Sequence, residues 1–92
     1  MATLFQLAIL TPEQGVFEGD VEYVEAPGTE GSFGVLAHHA AMVTALGEGS
    51  LRVRYPGGRE ERWPIKGGFF EVSNNRATVL ADAITMPVAG KE

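Results

Sequence analysis

The stretch LRVRYPGGREERWPI, residues 51–65, shows the fold in miniature. Leu51, Val53 and Tyr55 alternate with Arg52 and Arg54, the period of a strand with one face buried and one in water. Pro56-Gly57-Gly58 then turns the chain back, and a return strand runs from Arg59 to Ile65. Two registers compete. A two-residue loop pairs Arg54 with Glu61, whereas a three-residue loop aligns Trp63 with Leu51. The second is preferred because it buries Trp63, although it also sets Arg52 opposite Arg62.

The same period continues on both sides of this hairpin. Phe5, Leu7 and Ile9 alternate with Gln6 and Ala8, giving a first strand over residues 3–10. Thr11-Pro12-Glu13-Gln14-Gly15 supplies turn chemistry, and a short run through Val16 and Phe17 ends at Gly19. Val21 and Tyr23 alternate with Asp20 and Glu22 in a third strand that stops at Pro27-Gly28. Phe33, Val35 and Leu36 form another, and Met42 to Leu46 a further one. Beyond Lys66-Gly67-Gly68, the runs Phe69 to Ser73 and Arg76 to Ala83 flank Asn74-Asn75, a hairpin signal because Asn tolerates positive φ. The expected fold is all-β, with eight to ten short strands in a sandwich or barrel, the sandwich being preferred.

Composition narrows the function. A chain of 92 residues, 45% of them hydrophobic, has material for one core. It has no cysteine, hence no disulfide, thiolate metal site or cysteine nucleophile. Residues 1–30 hold six acids and no Lys or Arg, and the net charge is -5. Between Arg52 and Lys66 five cations face only Glu60 and Glu61, but a nucleic-acid site needs a concentrated basic face. Cross-strand charge pairs are the simpler expectation. The start, Met1-Ala2-Thr3-Leu4-Phe5-Gln6, lacks the basic and apolar regions of a secretory signal. Residues 31–47 carry no formal charge, yet glycines, histidines, Ser32 and Thr44 interrupt them short of the roughly 20 apolar residues of a spanning helix. No direct membrane insertion is expected.

The uncharged segment contains His38 and His39, which invite a metal or catalytic reading. On extended chain, adjacent side chains diverge, and neither Cys nor a carboxylate between Glu30 and Glu48 completes a ligand set. The plainer reading is a loop pair whose ring nitrogens bond water or a backbone carbonyl. None of the three serines lies in a nucleophile elbow, and the Gly-Gly pairs precede strands rather than phosphate-binding helices. The residues by themselves describe an acidic β-sandwich that acts by contact, with residues 31–47 as its candidate surface.

Two stretches add a resemblance. FQLAILTPEQGVFEGDVEYVEAPGTEGSFGVLAHHAAMVTALGEGSLRV, followed by KGGFFEVSNNRATVLADAIT, closely resembles the N-terminal sandwich domain of the epsilon subunit of F-type ATP synthases. The most specific matches are Pro27-Gly28 with Glu30-Gly31, Phe33-Gly34-Val35-Leu36, His39-Ala40, Thr44-Ala45-Leu46, Gly67-Gly68-Phe69 and Thr78-Val79-Leu80-Ala81-Asp82. The resemblance implies a flattened β-sandwich of mostly antiparallel strands at the foot of a rotating stalk. It implies no enzyme activity and no cofactor, only coupling of c-ring rotation to the gamma subunit. Matching positions make Thr11, His39, Met42 and Thr44 candidates for the gamma-facing surface, and Glu30, Ser32 and His38 candidates for the end facing the c-ring. The implied location is peripheral, on the cytoplasmic face of a bacterial plasma membrane, or in an organelle that encodes the chain.

Three departures stand out. Where the family commonly reads Pro-Gly-His-Ala-Pro, this chain has Ala37-His38-His39-Ala40-Ala41, so the loop is expected to be less rigid. Ser32 stands where an acid is frequent. The sandwich is expected over residues 1–84, with 85–92 a short tail in place of the family's helical hairpin. The competing reading is an independent β-sandwich that binds a small ligand or peptide through the same uncharged segment.

Overall fold

A computed structural model describes residues 3–89, and its regular elements are all strands. They are β1 (Phe5–Leu10), β2 (Gly15–Val21), β3 (Tyr23–Gly28), β4 (Gly31–Val35), β5 (Met42–Arg54), β6 (Glu60–Ser73), β7 (Arg76–Ile84) and β8 (Val88–Ala89). The sheet order is β2-β1-β7-β6-β5-β3-β4, with β8 on β6. Among the described residues only β1 and β7 run parallel. The expected all-β, mostly antiparallel sandwich is therefore the observed one. The expectations for Met1 and Ala2, and for the last three residues of the tail, lie outside the described residues. Within the tail, Val88 and Ala89 pair with Arg62 and Glu61.

Two pairs of expected strands merge. The runs 42–46 and 51–55 are halves of β5, and the runs before and after Lys66-Gly67-Gly68 are halves of β6. Glu48, Gly49 and Ser50 keep pairing with Lys66, Ile65 and Pro64, so the ladder survives the glycines that break the pattern in sequence. Gly47 and Gly67 drop out of the register together. Gly67 and Gly68, at φ 65° and 126°, adopt backbone angles that L side chains rarely occupy. The long hairpin bends there and contributes one half to each layer.

Ring contacts show how far the sheet folds over. Phe17 on β2 is three strands from Trp63 and four from Tyr55, about 14 and 19 Å in a flat sheet at ~4.8 Å per strand. The observed centroid separations are 6.2 and 5.6 Å. At the other edge Phe33 on β4 meets Phe70 on β6 at 5.1 Å, edge to face. Between the layers Leu7, Ile9, Val24, Leu51, Ile65 and Phe70 are fully buried, and no polar side chain is buried among the described residues.

The hairpin of residues 51–65 takes the three-residue register: Leu51 pairs with Trp63 and Arg54 with Glu60. Gly58 N–H donates to Tyr55 O at 2.9 Å, with Pro56 next and then Gly57 at φ 94°, the pattern of a type II turn. Arg52 does face Arg62, but Glu25 on β3 lies 3.0 Å from Arg52 and offsets the repulsion. Arg54 pairs with Glu60 at 2.9 Å, and Arg59 with Glu61 at 2.9 Å. These charges are part-exposed, so each pair adds only about 0.2–1 kcal/mol.

Beneath them Tyr55 Oη donates to Glu61 at 2.8 Å and accepts from Trp63 Nε1 at 3.2 Å. Burial, and then the Glu61 carboxylate, push the Tyr55 phenol up to about 12, against the opposing hydrogen bond from Trp63. A raised phenol favours the folded state below the unfolded value near 10 and loses that contribution as pH climbs toward 12. Stability is therefore expected to fall across this window. The fall should be shallower in Tyr55→Phe, as measured by urea unfolding with tyrosinate absorbance followed in parallel.

Asn74 and Asn75 turn β6 into β7 at φ 53° and 61°, as the sequence pattern predicts. Asn75 also ties three segments together. Its Nδ2 donates to Leu4 O at 3.1 Å, and its Oδ1 accepts the His38 N–H at 2.8 Å. Asn75→Ala removes both bonds and puts a Cβ-only side chain in the left-handed region. An unfolding free energy lower by about 2 kcal/mol is expected in denaturant titration.

Candidate functional site

Strand register fixes which side chains share the outer face of the layer containing β1, β7 and the adjoining halves of β5 and β6. Ala45 pairs with Phe69, Phe69 with Leu80, and Leu80 with Leu10. Directly paired residues project to the same side, so these four form a continuous apolar row across four strands. Val43, one pleat away, pairs with Glu71 and extends the row. Exposure is 68% for Val43, 56% for Phe69 and 48% for Leu80. Large apolar side chains left in water side by side on an acidic domain mark a contact surface.

Sequence reasoning passed over Phe69 and Leu80, although a signal was present. Phe70 and Val72 form the buried phase of β6, so Phe69 must share the outer face with Glu71. Met42 and Thr44 pair with the buried Val72 and Phe70 and point to the inner side. Met42 packs against the core from there.

The other sequence candidates fall in three places. Thr11 follows β1 and closes a turn, its N–H donating to Gln14 O at 2.8 Å while its Oγ1 accepts the Gln14 N–H at 3.3 Å. Glu30 and Ser32 sit exposed at the tip of the β3–β4 hairpin. His38 and His39 lie beyond the other end of β4, about 16 Å of strand away, so the structure does not bring His38 together with Glu30 and Ser32.

His39 Nδ1 lies 2.7 Å from its neighbour's carbonyl, Ala40 O, which can only accept, so Nδ1 carries a proton. This is the backbone-bonded loop histidine of the plainer reading. His38 stands at φ 65°, and the Asn75 bond holds it there. His38 also lines a cleft of about 360 Å³ with Thr3, Glu22, Leu36, Ala37 and Arg54. Among the described residues, no group of three or more His, Asp or Glu side chains is placed to hold a metal ion.

By class the chain is a two-layer β-sandwich with an apolar row on one outer face. Residues 4–87 match the family described as the ATP synthase, Delta/Epsilon chain, beta-sandwich domain. This chain belongs to that family. It is 48% identical over 82 residues to the ATP synthase epsilon chain of Desulforamulus reducens, covering 89% of this chain and 61% of that one. To the epsilon chain of Rhodopseudomonas palustris (strain BisB5) it is 46% identical over 85 residues, covering 92% and 62%. The chain thus spans about three-fifths of the length of these relatives.

Among solved structures it superposes with a TM-score of 0.86, at 26% identity, on a chain in the cryo-EM structure of the Euglena gracilis mitochondrial ATP synthase, OSCP/F1/c-ring. That match covers 95% of this chain and 55% of the other. A central stalk/c-ring chain from Tetrahymena thermophila mitochondria shares the fold, at 17% identity and TM-score 0.76, covering 91% of this chain and 67% of that one.

Proposed function

We propose that this chain is a non-catalytic rotor-stalk subunit that couples proton-driven c-ring rotation to the gamma subunit, and so to ATP synthesis. The observation that supports the reading most directly is the exposed row Val43, Ala45, Phe69 and Leu80, which gamma would cover. Interfaces of this kind combine an apolar centre with a polar rim. Here Glu71 and Thr78 border the row on one side. Thr11 and His39 belong to the proposed gamma-facing region, as do Met42 and Thr44, which share the strand edge with Val43 although their own side chains point inward. Glu30 and Ser32 at the β3–β4 tip, with His38 farther along, belong to the ring-facing one.

The sandwich assigned to residues 1–84 carries this role, with 85–92 as a short tail of which Val88 and Ala89 pair with β6. The complex would sit peripherally, on the cytoplasmic face of a bacterial plasma membrane. Among the described residues no helix is long and apolar enough to cross a membrane.

An independent ligand-binding module would need a deep apolar pocket. A cleft of about 390 Å³ mixes charged and apolar lining, with Glu48 and Lys66 beside Pro64, Ile65 and Ile84, and it lies outside the uncharged residues 31–47 through which such a module would bind. The deciding experiment is co-purification with recombinant gamma subunit followed by calorimetric titration. A stoichiometric complex with a negative heat-capacity change is expected, the sign of buried apolar surface. A folded chain that fails to bind gamma across several salt concentrations refutes the coupling role.

A further inference from the structure

The stretches of strand with an unpaired side differ in their surroundings. On β2, Glu18 and Asp20 put acids on the edge strand itself, their carboxylates turned back over the sheet to Arg76, at 3.6 Å, and to Gln6. The N-terminal part of β5 has no such acids. Met42, Val43, Thr44 and Ala45 pair with β6 on one side only, because β3 meets β5 at Leu46 and then again from Arg52 onward. These four residues contain no charge, no proline and no glycine. Beyond a hydrogen bond from Thr29 N–H to Ala45 O at 3.1 Å, no main-chain bond among the described residues reaches their outer side.

We propose that gamma docks by adding an extended strand along Met42–Ala45, so that its main chain continues the sheet as well as covering the apolar row. The inference rests on the coupling role above and specifies its geometry. A strand placed there sets its outward side chains beside Val43 and Ala45, and through them beside Phe69, so the edge and the exposed face form one surface. The acidic β2 edge selects against this mode by charge. β4, the other uncharged edge, offers a poorer seat: Gly31 and Gly34 present no side chain, and the Tyr23 ring occupies the space above Gly34. The segment that fits is extended and apolar at alternate positions, with no acid facing Glu71.

The test is amide hydrogen exchange of the whole chain, alone and saturated with recombinant gamma, with binding confirmed by calorimetry in the same buffer. Strand addition forms main-chain bonds at alternate residues, so two of the four amides at 42–45 should slow by about a hundredfold or more in the complex. If gamma binds and these amides exchange as in the free chain, strand addition is wrong and the coupling reading stands. If gamma does not bind, both fall. Protection that rises with concentration of the chain alone would assign the edge to a second copy and also overturn the proposal.

Discussion

Phe69→Asp is expected to lower the affinity of the chain for gamma by roughly a hundredfold or more while leaving the fold intact. Phe69 occupies the middle of the apolar row, between Ala45 and Leu80, and is 56% exposed in the isolated chain. Covering a side chain of this size contributes about 1.5–3 kcal/mol, and burying an unpaired carboxylate in its place adds a desolvation cost. A total near 3 kcal/mol corresponds to about two decades in affinity. The core is not disturbed, since the inner side of this strand is held by Phe70 and Val72. Unfolding should therefore shift by only about 0.5 kcal/mol. Calorimetric titration and thermal melts of the same preparation check both parts. Unchanged affinity would remove the row from the interface, and a large loss of stability would show that Phe69 is structural.

The second large effect is on the fold. At Gly68 the backbone sits at φ 126°, and a Cβ would overlap the carbonyl oxygen of Leu80 on the neighbouring strand. Neither partner can yield cheaply, because both are main chain within the β6–β7 ladder. Gly68→Ala is expected to cost about 3 kcal/mol, combining backbone strain with steric displacement. For a domain of this size that lowers the melting temperature by roughly 12–24 °C. Gly57→Ala is the control: φ is 94°, but the added Cβ meets nothing within 4 Å, so only the backbone term of about 1–2 kcal/mol applies. Equal losses in the two variants would show that the bend at Gly68 is not sterically enforced.

Legibility in the sequence followed the range of the interaction. The register of residues 51–65 was readable because turn length and the need to bury Trp63 act within one hairpin. The Asn74-Asn75 turn was readable for the same reason, since positive φ is a local demand. Continuity of β5 and β6 was not. Glycine at 47, 49, 67 and 68 looks like punctuation, yet the ladder runs past it because the partner strand bends at the same place.

The candidate surface divides along the same line. Residues 31–47 were singled out for lack of charge, and the open edge and Val43 do lie within them. Phe69 and Leu80 come from strands far along the chain and join Val43 only through pairing.

The sequence by itself determined the strand period, the hairpins, the hydrophobic content of one core and, through its ordered motifs, the family. These depend on neighbours within a few residues or on inherited wording. Only the tertiary structure decided which halves of β5 and β6 lie in which layer, that Met42 and Thr44 face inward, and that Val43, Phe69 and Leu80 meet in water. Alternation sorts side chains into two faces; which face receives the second layer depends on the packing of strands remote in sequence.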